Sequence, residues 1–379
     1  MFGKLDWQGS VLGFGAMRLP QTDTDYAHVD ESESIRMIRH AVDNGVNYVD
    51  TAYPYHAGRS ELVVGMALRD GYRQKVKIAT KMPSWLIKSQ ADMDRILDEQ
   101  LKRLQTGTVD FYLLHGLIKN TWSVLRDLKV LRWAEKAMND GRIGHLGFSF
   151  HDGYGLFKEI VNAYDNWIMC QIQYNYMDTE FQAGTKGLRD AADKGLAVVI
   201  MEPLRGGNLA KLPPVEVGKI WSEAGAVRSP VEWALQWVWE QPGISMLLSG
   251  MSSMQQLVEN LAVADRSGPG SLSQADMDVI ERVTQAYRRL SPLPCTNCGY
   301  CMPCNNGVQI PQIFQIYKDG VMYDDIKSAR FYYRGASGLR ADELADQCIE
   351  CGICEEKCPQ KIEISKWLKK VHSLLGLKK

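Results

Sequence analysis

The sequence predicts an α/β chain: a closed barrel of eight strand–helix units over residues 1–290, followed by a small cysteine-rich domain over 291–379. Three observations carry this reading. Short apolar runs alternate with helix-period segments through the first part of the chain, the pattern of parallel strands covered on both faces. Polar residues stand at the outgoing ends of several of these runs. The alternation then stops at Cys295, the first of eight of the nine cysteines that lie from there onward. An open doubly wound sheet is the competing arrangement, but no G-x-G-x-x-G opens a helix after the first strand.

Residues 4–15 read as two short strands around a Gly9-Ser10 turn, placed to plug one end of a larger structure. A helix over 33–43, with Ile35, Ile38, Ala41 and Val42 on one side, stops at Gly45. Strands at 46–49, 76–80, 109–114, 143–148, 168–172, 196–201 and 244–248 are separated by helices at 61–69, 93–104, 124–138, 156–163, 188–193 and 230–239. Pro230 sits at the start of the last of these helices, where its missing N–H costs nothing. Another helix is expected over 275–290, a linker over 291–294, and an amphipathic basic helix over 364–377 that docks on the protein. The aromatic residues Phe314, Tyr317, Phe331 and Tyr332 are expected to pack around the cysteine sites. Cys170, inside a strand, reads as a buried small hydrophobe.

The composition is that of a globular protein, with 45% hydrophobic and 23% charged residues. A net charge of -1 gives no field that would draw nucleic acid. No run reaches the roughly 18 apolar residues of a transmembrane helix. With no apolar signal segment at the start, a reducing cytoplasm is expected, which suits free thiolates.

The cysteines form two runs. Cys348, Cys351, Cys354 and Cys358, followed by Pro359, have the C-x2-C-x2-C-x3-C-P spacing of a [4Fe-4S] site. Cys295, Cys298, Cys301 and Cys304 form the other, with two residues before Cys304 and Asn305 in place of the proline. In such runs the fourth cysteine ligates the neighbouring cluster. The expected sets are therefore Cys295, Cys298 and Cys301 with Cys358, and Cys348, Cys351 and Cys354 with Cys304. Structural zinc and disulfides are the alternatives, the first disfavoured by the tight spacing of four thiols.

In the barrel, Asp50, Lys81 and His115 each follow a strand, and Tyr55 lies in the loop that begins at Asp50. Polar groups at outgoing strand ends face one mouth, so these four are the candidate catalytic set. Trp85 is placed to line the mouth, and His56 to touch a substrate.

Asp50-Thr51-Ala52 with Tyr55, Ala79-Thr80-Lys81 and Tyr112-Leu113-Leu114-His115 resemble the aldo-keto reductases. Ser149, Gln171-Ile172-Gln173-Tyr174-Asn175 and Glu259-Asn260 extend the resemblance. With the cysteine tail, the whole chain is similar to bacterial aldo-keto reductases that carry a C-terminal ferredoxin-like domain. The resemblance implies a TIM barrel and an NAD(P)-linked oxidoreductase acting on a small carbonyl or alcohol. It makes Tyr55 the general acid, Lys81 the cation that lowers its pKa, Asp50 the support of Lys81, and His115 the group that orients the carbonyl.

The resemblance also places Ser149, Gln171 and Asn175 near a nicotinamide amide, and Asn260 near an adenine. Leu204 and Gly206 belong to a loop closing over the pyrophosphate, while Ser249, Gly250, Ser252 and Gln256 lie at the adenosine phosphate end. Gly250 and Gln256 stand where NADPH-specific relatives carry Lys and Arg, so either NAD(H) or NADP(H) is expected. Two further readings stay open: lyase or isomerase chemistry by proton abstraction with a recycling dinucleotide, and a non-enzymatic electron-transfer or scaffold protein. Hydride transfer needs no iron, so the clusters point to electron exchange with a partner such as ferredoxin or flavodoxin or with a second redox group in the mouth, or else to a purely structural staple.

Overall fold

The computed structural model describes residues 2–295, 297, 299–336 and 338–376. They form two compact units: Met1–Ala210 with Arg228–Met277, and Lys211–Val227 with Asp278–Lys379.

The first unit is a closed parallel barrel of eight strands in sequence order. The strands are β1 (Leu12–Gly15), β2 (Tyr48–Asp50), β3 (Lys77–Pro83), β4 (Val109–Leu117), β5 (Ile143–Phe150), β6 (Met169–Gln173), β7 (Ala197–Met201) and β8 (Ile244–Ser249). β8 closes on β1 with Leu12 opposite Leu247. The expected N-terminal pair of strands is not there: residues 12–15 are the first barrel strand, paired in parallel with β2 and β8. Before it, only a single antiparallel bridge joins Phe2 and Leu5. The expected plug is present. Phe2 is buried among the inward residues Tyr48, Ala79, Phe111, Leu113, Met169 and Met246, its ring 5.1 Å from that of Phe111. The barrel interior is thus a packed core that closes one end and leaves the other for chemistry.

The helices follow their patterning, with local refinements. Helix Gln90–Leu104 begins earlier than its apolar period suggests, because Ser89 and Asp92 form a capping box. The single helix expected over 124–138 is two, Lys119–Asp127 and Val130–Asn139, broken where Lys129 takes a left-handed backbone. Apolar spacing is blind to such a break.

The second unit has its own core, built on Phe314, Tyr317, Tyr333, Leu368, Val371 and Cys358. The expectation for Phe331 and Tyr332 is corrected: they are 66% and 37% exposed, while their neighbour Tyr333 is buried. Tyr333 hydroxyl contacts His372 Nδ1 at 2.8 Å and accepts from Ala345 N at 3.0 Å. Helix Ile364–Leu375 buries its apolar face in this core. Among the described residues, no helix is long and apolar enough to cross a membrane.

Candidate functional site

Side chains alternate along a strand, so β3 sends Thr80 outward and Lys81 inward. The buried ammonium of Lys81 donates to Asp50 Oδ1 at 2.5 Å, to the Thr51 carbonyl at 2.8 Å and to Tyr55 hydroxyl at 3.2 Å. An ammonium has three donors, and all three are directed. On the outer face, Gln100 Nε2 donates to the Lys81 carbonyl at 3.1 Å and to Glu61 Oε1 at 2.7 Å, and Thr80 donates to Glu61 at 2.6 Å. Lys81 is therefore held from both sides of the strand. Burial works against its charge, but Asp50, then Tyr55, outweigh it, and its pKa lies above the usual lysine value. Lys81 stays cationic.

Lys81 lowers the Tyr55 pKa as expected, but does not set its net direction. Burial comes first and holds the phenol above its ordinary 10, and Lys81 only opposes this. The hydroxyl keeps its proton in the resting site, as a proton donor must.

His115 stands opposite, its ring 5.9 Å from that of Tyr55 and 5.1 Å from that of Trp85. Desolvation, then Lys81 and His151, push its pKa well below 6.5, so the imidazole is neutral. Its Nδ1 is buried without a partner among the described residues. His151, just past β5, is a mouth residue the sequence reading missed. It is open to solvent yet surrounded by protein, near Lys81 and His115, as in a cleft. The strand-end rule that located Asp50 and His115 would have found it.

His56 is corrected from substrate contact to loop clamp. Its Nε2 accepts from Leu19 N at 3.1 Å, its Nδ1 donates to the Tyr26 carbonyl at 2.8 Å, and its ring stacks on Tyr26. Both ring nitrogens are used.

The residues expected at a dinucleotide fall into two sets. Gln171 donates to Asp50 Oδ2 at 2.6 Å, while its buried Oε1 has no partner among the described residues. Ser149 Oγ accepts from Gly116 N at 2.8 Å. An orphaned buried acceptor beside the Asp50–Lys81 pair fits the amide donors of a nicotinamide. Asn175 is fully engaged: Nδ2 donates to Asp178 and the Glu202 carbonyl, and Oδ1 accepts from Met177 and Asp178. It braces the loop. Leu204 and Gly206 lie in the turn after β7, where the Leu204 carbonyl accepts from Gly207 and Leu209. Ser249 Oγ accepts from Asn260 at 3.0 Å, and Gln256 Oε1 accepts from Ser252 N at 2.8 Å. Gly250 packs against the Arg18 side chain.

In the second unit, one cavity is lined by Cys295, Cys301, Cys358, Pro359, Phe314 and Ile362. The Cys354 thiol is pushed up to about 11 by burial first, then by Glu355, Cys348 and Cys304 nearby. The described cysteines thus gather as two groups, one with Cys358 beside the first run and one with Cys304 beside the second. Cys351 is exposed, and Cys298 lies outside the described residues. Among the described residues, no three His, Cys, Asp or Glu side chains group to hold a single metal ion. A cubane spreads its thiolates over separate irons, and the soft, all-sulfur donor set in apolar surroundings fits one. Cys170 is buried, and burial pushes its thiol far up, which makes it inert.

Known proteins match this architecture. The aldo-keto reductase YhdN of Bacillus subtilis (strain 168) is 28% identical over 287 residues, 66% of this chain and 83% of its own length. The NADH-specific methylglyoxal reductase of Escherichia coli (strain K12) is 23% identical over 76% of this chain and 98% of its own. A solved aldo-keto reductase from Bacillus halodurans, in its holo form, superposes with a TM-score of 0.62 at 26% identity, covering 75% of this chain and 95% of that one. A 4Fe-4S dicluster domain model matches residues 294–363. The aldo/keto reductase family model matches residues 11–284, most of the barrel unit, and the chain belongs to that family, with a 4Fe-4S dicluster domain fused behind the barrel.

Proposed function

We propose that the barrel reduces a small carbonyl compound, or oxidises the corresponding alcohol, with NAD(H) or NADP(H). The observation that carries this is the Lys81 ammonium, whose three donors reach Asp50, the Thr51 carbonyl and the Tyr55 hydroxyl. A bound reduced nicotinamide supplies hydride to the carbonyl carbon. Tyr55 gives its proton to the carbonyl oxygen, which becomes the alcohol, and Lys81 stabilises the phenolate left behind. Asp50 keeps Lys81 in place. Neutral His115 donates a hydrogen bond to the same oxygen and fixes its direction. Gln171 and Ser149 hold the nicotinamide amide. Leu204, Gly206, Ser249, Gly250, Ser252, Gln256 and Asn260 line the path for the rest of the dinucleotide, and Asn175 braces it. The relative named for NADH and methylglyoxal supports a small-carbonyl reading with NADH.

We assign catalysis to residues 1–290 and two [4Fe-4S] clusters to 291–379, working in a reducing cytoplasm. Clusters held by the two cysteine groups would supply single-electron exchange with a carrier such as ferredoxin or flavodoxin. Clusters that stay reduced through many turnovers, whatever carrier is added, would make them structural.

The direct test is Tyr55→Phe. Carbonyl reduction should fall by about 10²–10⁴-fold, the usual worth of a positioned acid, while dinucleotide affinity measured by calorimetry is kept. Unchanged turnover would remove Tyr55 from the reaction.

A further inference from the structure

Glu202 follows β7 directly and takes a left-handed backbone, with φ 55, a conformation that a non-glycine residue seldom adopts. That twist turns its carboxylate into the loop 203–209. The Gly206 N–H points at this carboxylate, and an added Cβ on Gly206 would lie 3.4 Å from Glu202 Oε2. The same point is 3.8 Å from an Arg18 guanidinium nitrogen. Arg18 comes from the loop after β1. Its aliphatic stem packs on Gly250, where an added Cβ would be 3.2 Å from Arg18 Cβ, Cγ and Cδ. Ser252 Oγ donates to the Arg18 carbonyl at 3.0 Å and ties that loop to the one after β8. Among the described residues, the Arg18 guanidinium has no hydrogen-bonded or ion-paired acceptor of its own.

One guanidinium therefore spans two glycine-bearing loops, with a backbone N–H turned inward beside it. Gly206 and Gly207 have φ 67 and 93, a left-handed pair that turns the Gly206 N–H inward while the Gly207 N–H closes on the Leu204 carbonyl. A guanidinium with inward backbone donors is a diphosphate-binding arrangement. Here an internal carboxylate already stands in it.

We propose that Arg18 takes the diphosphate of the dinucleotide in this chain, and that Glu202 is an internal anion which competes for Arg18 and the Gly206 N–H. This rests on the dinucleotide reading above. Neither residue belongs to the catalytic set. When dinucleotide binds, the phosphate oxygens take the open Arg18 guanidinium and displace the Glu202 carboxylate from the Gly206 N–H. Affinity is then set by the difference between two anions for one cation, at the diphosphate and not at the adenosine end where Gly250 and Gln256 stand.

The test is anaerobic calorimetry of the full chain with NADH and NADPH, and with inorganic pyrophosphate as competitor. Wild type, Glu202→Gln and Arg18→Gln are compared, with Glu202→Ser as a second variant should Glu202→Gln fail to fold. Removing the competing charge should tighten NADH binding about tenfold, and removing the guanidinium should weaken it about tenfold. Pyrophosphate titrated alone should bind Glu202→Gln more tightly than wild type, and Arg18→Gln more weakly than wild type. Dinucleotide bound equally by all the variants would overturn the proposal and leave the reductase reading standing. Failure of every protein, Glu202→Gln included, to bind either dinucleotide at millimolar concentration would overturn both.

Discussion

Lys81 shows how one side chain organises a site. Its ammonium is buried, its pKa is raised by Asp50 and Tyr55 against the cost of burial, and each hydrogen has an acceptor. The neighbours titrate accordingly. Tyr55 is held above 10, so it stays protonated as pH rises through the neutral range. His115 is held well below 6.5, so it stays neutral as pH falls through that range. Both signs point the same way: neither group changes charge near neutrality. The kcat/KM for carbonyl reduction should therefore be flat from about pH 6.5 to 9, outside which ordinary His and Tyr values lie. An acid limb centred near 6.5 that vanishes from the residual activity of His115→Gln would show that the imidazole titrates in the cleft.

The helices outside the barrel matter to the site through close approach. Helix Arg59–Ala67 crosses the end of helix Gln90–Leu104 at Gly65, where a Cβ would be 2.6 Å from the Arg103 carbonyl oxygen and 2.9 Å from that of Leu104. These are backbone atoms that cannot swing away. The crossing also brings Glu61 to Arg103 at 3.2 Å and to Gln100 at 2.7 Å, the network that holds β3 behind Lys81. Gly65→Ala should cost roughly 1–3 kcal/mol, as overpacking at a tight contact does. Urea unfolding followed by the barrel's tryptophan fluorescence would measure it. An unchanged midpoint would show that the two helices part without strain.

For the molecule as a whole, the cysteines set the strongest expectation. Two cubanes would carry about eight iron and eight sulfide per chain, and exchanged fourth ligands would link the two runs. Exchange has a consequence that iron analysis can read. Cys358→Ala and Cys295→Ala should damage the same cluster, so the double variant should retain about as much iron as the worse single one. Cys358→Ala with Cys348→Ala should damage both clusters and lose iron additively. The reverse ranking would mean that each run holds its own cluster.

Asp50, Lys81, His115 and the two cysteine runs were legible in the linear chain because their signals are local. A strand's alternation, its outgoing end and a thiol spacing each follow from the backbone repeat of a few residues. The same repeats announced the eight-stranded barrel. His56 was misread because its fate rests on Leu19 and Tyr26, a loop that folds back on it. The strand at 12–15 was misread as half of a hairpin because closure with β8 joins residues more than two hundred positions apart. Phe331 and Tyr332 were placed inside and Tyr333 overlooked, since three adjacent aromatics give no period from which to choose a face. The charge states of Tyr55 and His115, and the approach of Arg18 and Glu202 to Gly206, were decided by tertiary structure alone. Desolvation and Coulomb energy depend on which groups are brought within a few ångströms, and sequence distance carries none of that.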